Sequence, residues 1–238
     1  MLQAILFDLD DTLIRTDTDA FLRRYFDSLE QYLSDICDGE MLQRWIGLSC
    51  QRIMASEHPE QTNLEAFCEE FTRLSGLERD EYWPRLRQFY SEVYPALKDD
   101  ITPMPNARRA VLEAKARGLR LVIATNPLFP LEAVETRLRW GGIDDVEFDL
   151  LTALENMHYA KPQPQYYLEA AQAIGVEAEK CLAVGNDMVL DIIPAKRAGM
   201  WTYLVCEGDC EARSEVDAWG TLGSFVDMMR EGTLPGQG

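Results

Sequence analysis

Asp8 and Asp10 stand two residues apart in the run Asp8-Leu9-Asp10-Asp11-Thr12, directly after the apolar stretch Ala4-Ile5-Leu6-Phe7. Residues two apart on an extended chain project to the same side, so these carboxylates can converge. A converged pair can share a hard cation such as Mg2+, which prefers oxygen ligands. It can also divide the roles of nucleophile and proton donor. Three more polar groups sit where an apolar stretch ends. Thr125-Asn126 offers a hydroxyl and backbone N–H groups to a phosphoryl oxygen. Lys161, in Ala-Lys-Pro, can neutralise charge that develops during a reaction. Gly185-Asn186-Asp187 precedes Asp191, which shares a helical face with Asp187 if a helix has begun there. Only two histidines, His58 and His158, are present, so a histidine general base has little material.

The surrounding pattern predicts the elements that would hold these groups. Ala4–Phe7 reads as a buried strand opening into an acidic loop. Helical spacing follows: Phe21, Leu22, Tyr25, Phe26 and Leu29 form one apolar stripe, and Met41, Leu42, Trp45 and Ile46 a second. Leu64, Phe67, Cys68 and Phe71 form a third, with Asn63 as the expected N-cap. Leu86, Phe89, Tyr90 and Val93 form a fourth, with Pro84 near its start. The run ITPMPN then breaks the chain, and helices alternate with strands. Strands are expected over 119–124, 146–151, 180–184 and 200–205, and helices over 107–117, 165–173 and 191–198. Such alternation implies a parallel sheet with helices on both faces. The first strand belongs to that sheet, so the expected organisation is a discontinuous α/β core, 1–15 and 101–238, interrupted by a helical insertion, 16–100. The LPGQG ending reads as a loose tail.

Taken singly, each polar group has a plain structural alternative. Acids after a strand can cap a turn or favour a helix N-terminus, and most lysines are solvated. All four groups, however, fall at strand ends, and the carboxyl edge of an open α/β sheet is where ligands bind. Their conjunction favours an active site.

Composition narrows the partners. The 238 residues carry a formal charge of −18 with five lysines, which argues against nucleic acid as a partner. A phosphate-binding site in such a chain needs local positive charge, such as a metal. No apolar run is long enough for a bilayer, and the first residues lack the features of a signal peptide, so a cytoplasmic protein is expected. The six cysteines, including Cys206 and Cys210 in CEGDC, form no CxxC pair and read as free thiols.

The ordered set FDLDDTL (7–13), ATN (124–126), Lys161-Pro162 and GNDMVLD (185–191) resembles the haloacid dehalogenase-like hydrolases over nearly the whole chain. The resemblance implies a Rossmann-like core with a helical cap between the first two motifs. It implies that Asp8 attacks phosphorus to form an aspartyl-phosphate, while Asp10 protonates the leaving oxygen and later activates water. Thr125, Asn126 and Lys161 would hold the phosphate, with Mg2+ on Asp8, Asp10 and Asp187, supported by Asp191. One departure matters: family members usually place Asp directly after the glycine, where this chain has Asn186. Asp187 is expected as the direct ligand because its carboxylate is anionic, with Asn186 as the possible replacement. Asp10 favours phosphoryl transfer over dehalogenation, since a halide leaves without a proton. The expected activity is hydrolysis of a small phosphorylated metabolite. The alternatives are a phosphomutase acting on a sugar phosphate and a catalytically silent binding protein of the same fold. Oligomeric state is not legible.

Overall fold

β1 (Ala4–Phe7) is apolar at every position and buried throughout, as a strand at the centre of a parallel sheet must be. The computed structural model describes residues 1–55, 60–99, 101–208 and 215–237; His58, Asp100 and Cys210 lie outside them. β1 pairs in parallel with β4 (Arg120–Ile123) on one side and β6 (Cys181–Gly185) on the other. β5 (Leu150–Leu151) extends the sheet beyond β4, and β7 (Trp201–Val205) and β8 (Ala218–Gly220) extend it beyond β6. The order β5-β4-β1-β6-β7-β8 makes the chain switch direction around β1. The carboxyl ends of β1, β4 and β6 therefore lie where an open α/β sheet places its ligand crevice.

The two-residue alternation of the strands sorts the core into two faces. Ile5, Phe7, Leu121, Ile123, Leu182 and Val184 belong to one cluster. With them pack α5 (Ala107–Ala116) and α9 (Leu222–Glu231), through Ala110, Val111, Phe225 and Val226. The intervening residues Ala4, Leu6, Val122, Cys181 and Ala183 belong to the other cluster. There they meet Tyr166, Tyr167 and Ala170 of α7 (Pro164–Ala173) and Ala195 of α8 (Ile193–Arg197).

After β1 the chain forms β2 (Ile14–Thr16) and then α1 (Thr18–Leu33), α2 (Gly39–Met54), α3 (Asn63–Ser75) and α4 (Arg79–Glu92). It returns through β3 (Ile101–Pro103), which pairs antiparallel with β2. The helical block therefore leaves and rejoins the sheet through one two-stranded ribbon, where the sequence suggested only a break. Among the described residues no helix is long and apolar enough to cross a membrane.

Several local expectations are corrected. Thr62, not Asn63, caps α3, and Thr62 and Glu65 form a reciprocal capping box. Pro84 falls inside α4 instead of in its first turn. The strand expected over 146–151 shrinks to β5, because Val146 closes a turn onto the Ile143 carbonyl and Asp149 hydrogen-bonds the Leu121 N–H with its side chain. The helix expected over 191–198 starts earlier, as a wide turn at Met188–Ile192 running into α8. Pro194 has no N–H to offer the Leu190 carbonyl, and the Tyr167 hydroxyl bonds it at 3.1 Å instead. The C-terminal segment is not loose over 234–237, and Gly238 lies outside the described residues. Leu234 is 3% exposed, and the Gly236 carbonyl accepts the Leu2 N–H at 2.8 Å.

Candidate active site

Each of the groups singled out in the sequence follows the strand expected to present it, Lys161 from far along the loop that joins β5 to α7. Asp8 leaves β1 with its N–H bonded to the Val184 carbonyl at 2.8 Å, which fixes its backbone against β6. Thr125 lies just past β4. Its carbonyl accepts from Thr152 Oγ1 at 2.7 Å and from the Tyr166 hydroxyl at 2.8 Å, both buried donors. The Asn126 side-chain oxygen accepts the Lys161 N–H at 3.2 Å, tying the second loop to the third.

Lys161 is the centre of the arrangement. It is 1% exposed, and its Nζ donates to Asp8 Oδ1 at 2.7 Å and to Asp191 Oδ1 at 2.6 Å. Tyr167 also donates to Asp191 Oδ1 at 3.3 Å, and the Asp187 N–H donates to Asp191 Oδ2 at 3.0 Å. Asp191 is thus held from three directions. Burial disfavours the Lys161 ammonium, but the two carboxylates more than offset this and hold its pKa well above the ordinary lysine value. Asp8 is in the opposite position. Burial, then repulsion from Asp191, pushes its carboxyl up to about 7, against the opposing pull of Lys161.

Gly185 is required by close approach. A Cβ at that position would overlap the Asp191 carboxylate and its Cβ, so any larger residue would drive Asp191 off Lys161.

Asn186 and Asp187 part company. Asp187 Oδ1 accepts the N–H groups of Val189 and Leu190 at 2.7 and 2.9 Å, capping the turn that follows β6. The Asn186 side-chain oxygen instead accepts from Thr12 Oγ1 at 3.1 Å, in the loop that carries Asp8 and Asp10. The amide, not the carboxylate, faces that loop.

Asp10 is engaged elsewhere again. Its Oδ1 accepts from Thr16 Oγ1 at 3.3 Å, and its Oδ2 from Arg137 Nη1 at 3.0 Å. Arg137, on α6 (Leu131–Gly141), is a site residue that sequence reading missed. In the one-dimensional pattern it is an ordinary charged position of an amphipathic helix.

The donors near the crevice are carboxylate and amide oxygens, with no imidazole or thiol among those named, which suits a hard divalent cation. Asp8, Asp10, Asp187 and Asp191 outnumber the cations they touch, Lys161 and Arg137. The surplus is negative, in keeping with a bound cation. Among the described residues no three His, Cys, Asp or Glu side chains form a ready-made metal cluster. The carboxylates point to Lys161, to Arg137 and to the turn after β6.

Comparison with known proteins gives a consistent picture. A family model described as haloacid dehalogenase-like hydrolase matches residues 2–199. Hexitol phosphatase B of Escherichia coli (strain K12) is 36% identical over 112 residues, covering 46% of this chain and 48% of that protein. The chain thus spans about half the length of this curated relative. The crystal structure of a HAD phosphatase from Thermococcus onnurineus superposes with a TM-score of 0.58 at 19% identity, over 96% of this chain and 98% of that one. L-2-haloacid dehalogenase from Xanthobacter autotrophicus superposes with a TM-score of 0.58 at 18% identity, over 97% and 99%. At these identities the two structures establish the shared fold.

The crowding of Asp8 has a consequence for stability. Its folded pKa, about 7, lies above its ordinary value of 3.8, so the folded chain holds more protons than the unfolded chain between those values. Stability should therefore fall as pH rises through that window, and the loss should be complete above about 7. Asp8→Asn removes the titrating group and should be more stable than wild type at pH 8 by on the order of 1–3 kcal/mol, with the gap shrinking toward pH 5. Thermal melts at both pH values, in chelator, measure this. An equal pH slope in the two proteins would contradict the crowded Asp8.

Proposed function

The chain belongs to the haloacid dehalogenase-like hydrolases, and we propose that it hydrolyses a small phosphorylated metabolite with Mg2+ as cofactor, using Asp8 as nucleophile. The observation that carries this reading is Lys161 Nζ at 2.7 Å from Asp8 Oδ1, a buried cation beside a carboxylate at the sheet's carboxyl edge. In that position the cation can offset the charge of a phosphoryl group as it passes to Asp8.

In the first step an Asp8 oxygen bonds to phosphorus as the bond from phosphorus to the leaving oxygen breaks. Asp10, in its acid form, gives its proton to that oxygen. In the second step the Asp10 carboxylate takes a proton from water, whose oxygen attacks the phosphorus of the aspartyl-phosphate. The bond to Asp8 breaks and inorganic phosphate leaves. Thr125 and Asn126 supply donors to the phosphoryl oxygens, and Lys161 keeps Asp8 aimed while balancing charge. Asp191 and Tyr167 keep Lys161 in place. The Mg2+ supplies further charge neutralisation when bound. Asp8, Asp10 and one residue after β6 would hold it, with Asp191 supporting. Because the Asp187 carboxylate caps the following turn while Asn186 reaches Thr12, we assign the third position to Asn186.

The helical block, within 16–100, acts in this reading as a cap over a core formed by 1–15 and 101–238. The N-terminus of α3 supports that role: Asn63 and Leu64 donate their N–H groups to the Met157 and Leu154 carbonyls, in the loop leading to Lys161. A cap seated there suits a small substrate better than a protein one. The similarity to hexitol phosphatase B brings sugar-alcohol phosphates into the first screen. Cys37, Cys50, Cys68 and Cys181 are free thiols, in keeping with a cytoplasmic setting.

Phosphate release from a panel of phosphorylated metabolites is the direct test. Turnover should appear with Mg2+ and vanish in chelator, and Asp8→Asn should reduce it to background. Full turnover without metal, or in Asp8→Asn, would overturn the reading.

The third metal position has its own test. Asn186→Ala should raise the Mg2+ concentration needed for half-maximal turnover several-fold. Asp187→Ala should mainly lower stability, by about 1 kcal/mol for a lost cap. The reverse order in a Mg2+ titration would return the position to Asp187.

A further inference from the structure

Lys161 does not hold Asp10. The carboxylate lies instead between Thr16 Oγ1 and Arg137 Nη1, with each of its oxygens bonded once. Arg137 is 5% exposed, although arginine is rarely so deeply buried. Its guanidinium carbon sits 4.2 Å from the Phe129 ring centroid and 5.4 Å from that of Phe21. Its Nε donates to the Tyr94 hydroxyl at 2.9 Å. One planar fork therefore joins Asp10 to Tyr94 while packed against two aromatic rings, a combination lysine cannot reproduce.

These contacts belong to different parts of the chain. Phe21 lies in α1 and Tyr94 follows α4, so both belong to the helical block. Phe129 lies in the loop that follows Asn126, and Asp10 lies in the loop after β1. Arg137 itself stands on α6, between β4 and β5. The seat of its guanidinium is complete only when the helical block is in place. A buried ion pair is weak evidence of a stabilising role, since apolar residues of similar volume often serve stability as well or better.

We propose that Arg137 is a positioning residue that orients the Asp10 carboxylate for proton transfer, and that it ties this orientation to the seating of the helical block through Tyr94 and Phe21. The proposal rests on the reading of Asp10 as the acid and base of the reaction. With the block seated, the fork is fixed at both ends and the Asp10 carboxylate is held in one direction. With the block displaced, the guanidinium loses the Tyr94 hydroxyl and the Phe21 face, and Asp10 loses its fixed direction. Proton transfer is then efficient only over a covered substrate.

The test separates the step that needs a proton from the leaving group from the step that does not. Wild type, Arg137→Met, Arg137→Lys and Tyr94→Phe are compared on two substrates with saturating Mg2+. One is the alkyl phosphate that wild type hydrolyses fastest. The other is 2,4-dinitrophenyl phosphate, whose phenolate departs unprotonated. Arg137→Met should lower kcat on the alkyl ester about 100-fold. On the aryl ester its first turnover should stay close to the wild-type rate, giving a burst of one phenolate per enzyme. A slow steady state should follow, because hydrolysis of the aspartyl-phosphate still needs Asp10. Arg137→Lys should rescue little, since it cannot reach both Asp10 and Tyr94. Tyr94→Phe, which removes one oxygen, should shift the same ratio by several-fold, and it keeps the test open if Arg137→Met does not fold. Equal losses in burst rate and alkyl turnover for the variants that fold would show a merely structural role and overturn the proposal alone. A wild type silent on both esters would overturn the phosphatase reading and this proposal with it.

Discussion

Two carboxylates, Asp8 and Asp191, meet one ammonium, Lys161, where almost no water reaches. A charge trio of this kind is unbalanced by one negative unit, and in a buried setting the imbalance cannot be screened. Removing the ammonium would leave two facing carboxylates without a counter-charge, a change that costs about 3–5 kcal/mol in comparable buried pairs. Keeping it leaves Asp8 aimed but crowded, with its pKa raised. The surplus charge suits a divalent cation, and the aimed carboxylate suits attack on an electrophile. Gly185, Tyr167 and the Asp187 N–H can all be understood as supports for the Asp191 side of this trio.

The sheet explains why residues so far apart in sequence meet there. β1 is flanked by β4 and β6, so the loops bearing Asp8, Thr125 and Asn186 emerge side by side. The loop after β5 then brings Lys161 in, guided by the hydrogen bond that the Lys161 N–H gives to the Asn126 side chain, by that from Thr152 to the Thr125 carbonyl, and by those from the N-terminus of α3. The same edge receives the helical block through the ribbon of β2 and β3. The helical block and the candidate site are therefore joined at one edge of the sheet.

The parts legible in the sequence are those that local pattern encodes. Strand β1 followed by Asp8, the alternation of helices and strands, and the residues past the strand ends all follow from apolar periodicity and loop position. The helical block was visible as four stripes at helical spacing. What escaped depends on contacts between distant segments. Arg137 looks like any charged helical residue until α6 is set against Phe21, Phe129 and Tyr94. The pairing of β2 with β3 spans the whole helical block, so no short window contains it. Asn186 and Asp187 differ by one position, and their different side-chain contacts are not written in the local pattern. The turn that begins at Met188 draws the Asp187 oxygen to two backbone N–H groups and leaves Asn186 facing Thr12. The C-terminal segment reads as polar and glycine-rich, yet one buried leucine and one carbonyl fasten it to the start of β1.

The proposed reaction requires an Asp8 oxygen to accept the phosphoryl group. Acid quenching during turnover, followed by peptide mapping by mass spectrometry, reads this directly. The expected result is a phosphoryl adduct on the peptide that contains Asp8, localised to that residue and absent from Asp8→Asn. An adduct on another residue, or turnover that never labels the protein under conditions where the second step is slowed, would contradict it.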